Sequence, residues 1–223
     1  MPLTTKPSWK NFAWPSARKN KLMPYLPSPS KEEIAGLEPL NRLGLDNIIV
    51  VSTRRQASEA FQALEKSSVL GFDTESKPTF VRAEISEGPH VVQFSTLHTA
   101  YVFQLHDAGC CETVSALLLS ESITKVGFGL AGDHVQIMRT LGVRPQKVLD
   151  LNNVFRDRGY AKELGVRGAV AVVFNRRFLK SRKATTSNWS NRQLTESQII
   201  YSANDAWAAM QVFHALDLRL GQT

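Results

Sequence analysis

Two rhythms of apolar residues run along this chain. Short runs rich in β-branched and aromatic residues occur at Ile48 to Val51, Val69 to Glu75, His90 to His98 and Ala100 to Leu105. Such runs predict strands. Between the first two, Arg54 to Lys66 places Ala57, Phe61 and Leu64 on one face at helical spacing. Further on, Glu112 to Leu119 and Val135 to Leu141 read as helices and Lys125 to Gly129 as a strand, while Val148 to Val154 reads as a strand or a mixed segment. A run of strands followed by alternating strand and helix predicts an α/β fold, a mixed sheet with helices on its faces.

The last helix has the clearest boundaries. Thr195 and Gln198 stand at capping-box spacing, so the hydroxyl can accept from a free backbone N–H while the amide reaches back. From Ile199 to Leu216 apolar residues cover most of the helix circumference, which predicts burial on more than one side.

The opening stretch breaks the pattern. Met1 to Lys31 contains no carboxylate but carries Lys6, Lys10, Arg18, Lys19 and Lys21 among six prolines. Repeated prolines forbid a continuous helix and favour extended, solvated backbone. Residues 1–46 are therefore expected to be a basic, proline-rich extension, and 47–223 a folded domain. Trp9, Phe12 and Trp14 either stack on bases as part of a phosphate-tracking arm or dock on the domain itself.

Composition narrows the function. The chain has 223 residues, 43% hydrophobic and 21% charged, the profile of a soluble globular protein. There is no apolar run of the length a membrane span needs and no continuous apolar segment of a secretory signal. Cys110 and Cys111 are adjacent, a spacing that suits neither a disulfide framework nor a metal site, so a cytoplasmic location is expected. A net charge of +7 favours a polyanionic partner, nucleic acid ahead of a membrane surface.

Three local patterns can carry chemistry. In Gly71-Phe72-Asp73-Thr74-Glu75, strand alternation projects Asp73 and Glu75 from one face at the strand's end. Two carboxylates so placed repel each other, a conflict that a hard divalent cation would remove and that a solvated strand end would also tolerate. Asp133 follows Gly127, Gly129 and Gly132. It either sits at a helix N-terminus, favoured by the helix dipole, or faces Asp73 across a cleft that the glycines let the backbone approach. Tyr201 and Asp205 are four apart on the last helix and share a face. Amid Ile199, Ile200, Ala203, Ala206 and Trp207, burying Asp205 is costly unless it is paired or binds metal; the other reading is an exposed polar stripe with Ser202.

Taken as a set and in this order, these motifs resemble the DEDD superfamily of 3′-5′ exonucleases, in the tyrosine-bearing subgroup that includes ribonuclease D and the Werner-syndrome exonuclease domain. Gly127 to Arg139, and Ser187-Asn188-Trp189-Ser190 leading through Leu194-Thr195 to Tyr201 and Asp205, most resemble the Werner-type branch. Ile200 stands where a histidine-bearing enzyme would place its histidine, five before the last aspartate.

The resemblance implies a ribonuclease H-like domain with a five-stranded mixed sheet flanked by helices. It implies two divalent ions, magnesium or manganese rather than zinc, with Asp73 bridging both, Glu75 and Asp205 completing one site and Asp133 supporting the other. Tyr201 would orient the attacking water, and the products would be 5′-mononucleotides. The expected substrate is nucleic acid, DNA ahead of RNA; the competing expectations are the same chemistry on RNA and a binding module without catalysis. Thr74, Lys77 and Phe80, with Arg82 beyond them, lie close enough to the first motif to touch a terminal nucleotide. The acid-free run of Arg176, Arg177, Lys180, Arg182 and Lys183 either grips phosphates or is a solvated loop. Trp189 reads as a packing residue. With little sequence after the last helix, substrate choice is expected from this domain and the basic extension.

Overall fold

The computed structural model describes residues 25–79 and 87–218. The chain divides into two compact units. The larger, Arg42–Asp150 with Lys180–Thr223, is built on one six-stranded sheet. Its strands are β1 (Ile48–Val51), β2 (Val69–Glu75), β3 (Val91–Ser95), β4 (Ala100–Gln104), β5 (Thr124–Gly127) and β6 (Val148–Asp150), in the order β1-β4-β3-β2-β5-β6. β3 runs antiparallel to β2 and β4, and the other pairings are parallel. The sheet is thus mixed, as expected, but has six strands rather than five. The ambiguous segment at Val148 supplies a three-residue edge strand and then turns into helix at Leu151.

Alternation of side chains sorts the two faces. Leu70 and Phe72 of β2, Val92 and Phe94 of β3, and Tyr101 and Phe103 of β4 point to one side. There they pack with Ala57, Ala60 and Leu64 of α2 (Arg54–Leu64) and with Val114, Leu117 and Leu118 of α3 (Ala108–Leu119). Ile137 of α4 (Ala131–Leu141) joins the same cluster. Val91, Ala100 and Val102 point to the other side, against Tyr201 and Ala203 of α8 (Glu196–Ala215).

α8 has the predicted capping box, with Thr195 accepting from the Gln198 N–H at 3.3 Å and Gln198 accepting from the Thr195 N–H at 3.0 Å. It is buried over most of its circumference, as its composition requires. What lets it lie so close to the sheet is Gly71: a Cβ there would sit 2.0 Å from the Ala206 carbonyl oxygen. Asn204 fixes it further, accepting from the Leu43 N–H at 2.9 Å and donating to the Leu43 carbonyl at 3.2 Å.

The smaller unit joins the described residues up to Asn41 with Leu151–Leu179. It holds α1 (Lys31–Ala35), α5 (Leu151–Asp157) and α6 (Gly165–Phe174). α1 precedes the folded region expected from the sequence; Ser30 and Glu33 close a capping box that stabilises it. Leu26 bridges to Tyr160 and Pro39 to Arg177. In the larger unit, Arg182 and Lys183 of the basic run open the short helix α7 (Arg182–Thr185), capped by Ser181. Among the described residues no helix is long and apolar enough to cross a membrane.

Candidate metal centre and its surroundings

The face that α8 covers is the face to which β2 sends Gly71, Asp73 and Glu75. The close approach of Ala206 at Gly71 holds its neighbour Asp205 over the strand's end. There Asp73, Glu75 and Asp205 each place a carboxylate oxygen within 4.8 Å of the others. Three negative groups this close in a protected site raise one another's pKa, and burial adds to the effect. Burial, then Asp205 and Asp133, hold the Asp73 carboxyl well above the usual carboxylate range. Burial and the neighbouring Asp73 and Asp205 push Glu75 up to about 9. An all-oxygen donor set whose members cannot comfortably ionise together suits a hard divalent cation, which supplies the missing positive charge.

Asp133 lies in the first turn of α4, and its carboxylate accepts a hydrogen bond from the Thr74 hydroxyl. Its pKa is raised by burial, with the Thr74 bond acting in the opposite direction. Its charge is felt at Asp73, although it lies outside the three-carboxylate cluster. The three glycines before it divide their work. A Cβ on Gly127 would meet the Phe72 carbonyl at 2.5 Å, so this glycine permits close packing of β5 on β2. Gly129 turns the chain at φ 71°, and around Gly132 there is open space. Asp150 accepts from the Leu130 N–H at 3.0 Å and so anchors the start of α4.

Tyr201 is buried beside Asp205. Its ring lies 5.9 Å from that of Trp189, and its hydroxyl accepts from Thr185 at 3.3 Å. Burial, with Asp205 and Glu75 nearby, raises its phenol above the ordinary value, so it stays protonated and serves as a hydrogen-bonding group. Trp189 is 1% exposed, a packing residue as expected.

The basic and polar residues meet different fates. Lys180 turns inward: its ammonium binds the Asp205 carboxylate at 2.9 Å and lies 5.2 Å from the Tyr201 ring centroid. Lys77, Arg182 and Lys183 are exposed, the last two on α7. Arg176 and Arg177 belong to the smaller unit, where the Arg177 guanidinium donates to the Ala35 carbonyl at 2.9 Å. Thr74 is bound to Asp133, and Phe80 and Arg82 lie outside the described residues. Two residues were not foreseen. Thr185 holds Tyr201, and Gln93 of β3, fully buried, stands directly opposite Asp73 in the strand register with neither end of its amide hydrogen-bonded. Only its polarity in the middle of an apolar strand marked Gln93 in the sequence.

Comparison with known proteins assigns the chain to a family. The family described as 3′-5′ exonuclease matches residues 48–221. The mouse bifunctional 3′-5′ exonuclease/ATP-dependent helicase WRN is 29% identical over 162 residues, which span 72% of this chain and 12% of that protein. An Arabidopsis thaliana 3′-5′ exonuclease is 24% identical over 79% of this chain and 60% of its own length. The chain thus spans only part of these relatives. Among solved structures, Trypanosoma brucei RNase D in complex with RNA U12 superposes with a TM-score of 0.67 at 20% identity, over 85% of this chain and 66% of that one.

Proposed function

Because the chain belongs to the 3′-5′ exonuclease family, with a ribonuclease H-like fold, we propose that it removes nucleotides one at a time from the 3′ end of DNA, releasing 5′-mononucleotides. The observation that carries this reading is the partly buried triad of Asp73, Glu75 and Asp205, whose oxygens converge within 4.8 Å. The triad would hold one divalent cation, and Asp133 would support a second beside Asp73. Magnesium and manganese are the ions suited to oxygen ligands. When bound, such ions lower the pKa of water and stabilise charge on the attacking and leaving oxygens.

The chain's own groups do the rest. Tyr201, protonated and held by Thr185, presents a hydroxyl that orients the attacking water toward the terminal phosphodiester. Lys77, Arg182 and Lys183, exposed on the same unit as the triad, offer positive charge to the phosphate backbone. The resemblance of Gly127 to Arg139 and of Ser187 to Asp205 to the Werner-type branch supports DNA. The fold shared with a ribonuclease D bound to RNA supports a second reading, the same chemistry on RNA.

Matched DNA and RNA oligonucleotides, single-stranded and recessed, decide between these when digested with magnesium or manganese. The wild type is expected to shorten DNA from its 3′ end, and Asp73→Asn to be inert. Faster shortening of RNA would overturn the DNA assignment. Equal inertness of wild type and variant on every substrate would sink the enzyme reading and leave a binding module.

A further inference from the structure

Lys180 stands apart from the rest of the basic run. Its side chain is 27% exposed, whereas that of the Asp205 it binds is 3% exposed, so the lysine is the member of the pair with the readier access to solvent. It also exerts a favourable charge effect on Asp73 and Glu75, so one cation partly offsets all three acids. Burial pulls its own pKa down, but Asp205, Tyr201 and Asp73 outweigh that and hold it above the ordinary lysine value, firmly charged. A compact ammonium on a flexible four-carbon stem can leave such a position without moving the backbone.

A divalent cation approaching Asp205 from solvent meets the same carboxylate that Lys180 holds. We propose that Lys180 is a displaceable counter-ion of the metal centre: it neutralises the triad before a divalent cation binds, yields Asp205 to that cation, and then turns its ammonium to the substrate phosphate. This rests on the exonuclease reading for the phosphate alone. The competition for Asp205 stands on the ion pair. Binding of metal and release of the lysine are then one coupled event, and the lysine sets the cation concentration at which the site fills.

The test reads metal binding directly, with no nucleic acid present. Manganese titrated calorimetrically into Lys180→Met and Lys180→Gln is expected to bind about tenfold tighter than to the wild type, since the competing charge is gone. Without metal, both variants should unfold at a lower temperature than the wild type, and manganese should raise their midpoints by more. Unchanged or weaker manganese affinity in the folded variants would overturn the inference. A measurement on the wild type guards against variants that fail to fold. With ¹³Cε-labelled lysine, the Lys180 resonance should move toward the position of an exposed lysine on magnesium addition; a resonance that stays put would overturn the inference as well. The two readings fail separately. A chain that binds manganese as described but hydrolyses nothing refutes the exonuclease. A chain that hydrolyses DNA with its Lys180 signal and affinities unmoved refutes the counter-ion.

Discussion

Glu75 illustrates how a single side chain reports on the whole site. Its pKa of about 9, against an ordinary 4.5, means that the folded protein holds a proton which the unfolded chain releases at far lower pH. The contribution to stability is therefore complete below the ordinary value and is lost as pH rises through about 9. For metal-free protein, the urea midpoint is expected to fall steadily from about pH 6 to about pH 9, with Asp73, whose pKa is also raised, adding to the slope. Manganese should flatten that slope, because the ion binds the ionised carboxylates, and binding should release protons measurable in buffers of different ionisation enthalpy. A metal-free midpoint that rises over this range would contradict the assigned environment. The triad's residues were readable beforehand because strand alternation and helical spacing are periodic. Lys180 was singled out only as part of the basic run, and neither its pairing with Asp205 nor the place of Gln93 was readable, since nothing local in the sequence says which way a lysine turns or what lies opposite a glutamine in a neighbouring strand.

At the scale of elements, the decisive contact is β2 against α8. The Gly71 Cα faces the Ala206 carbonyl with no room for a methyl group, so Gly71→Val must push the helix away or bend the strand. Overpacking against backbone of this kind costs about 3 kcal/mol. The variant is expected to lose roughly that much in urea unfolding and to lose most hydrolysis, because Asp205 moves with the helix. A fully stable, fully active Gly71→Val would show that α8 does not need this close approach. α8 itself was legible from its capping box and its apolar circumference. Strands β1 to β5 were legible from composition, although β3 proved shorter than the run suggested. α5, α6 and α7 were not. α6 is rich in valine and starts without a side-chain cap, so its local pattern does not favour a helix over a strand. α7 is a single turn capped by Ser181, too short for a periodic pattern.

For the whole molecule, charge is the property that matters. The net +7 is unevenly spread, with an acid-free stretch up to Lys31. Leu26 pairs with the chain at Tyr160 and Ser30 caps α1, so these residues are part of a folded unit and a clean truncation stops at Pro24. Deleting Met1 to Pro24 removes five basic residues, Lys6, Lys10, Arg18, Lys19 and Lys21. It is expected to weaken binding of single-stranded DNA several-fold at low salt and to reduce the salt dependence, with turnover at saturating substrate retained. Loss of turnover in a folded truncation would assign the extension a place in catalysis.

The triad is drawn from two ends of the sequence: Asp73 and Glu75 come from an early strand, Asp205 from a helix that follows the other five strands. During synthesis the first two emerge from the ribosome long before the third. A nascent chain therefore holds two of the three carboxylates on one strand, and the cluster is complete only once α8 has been made and has settled over Gly71.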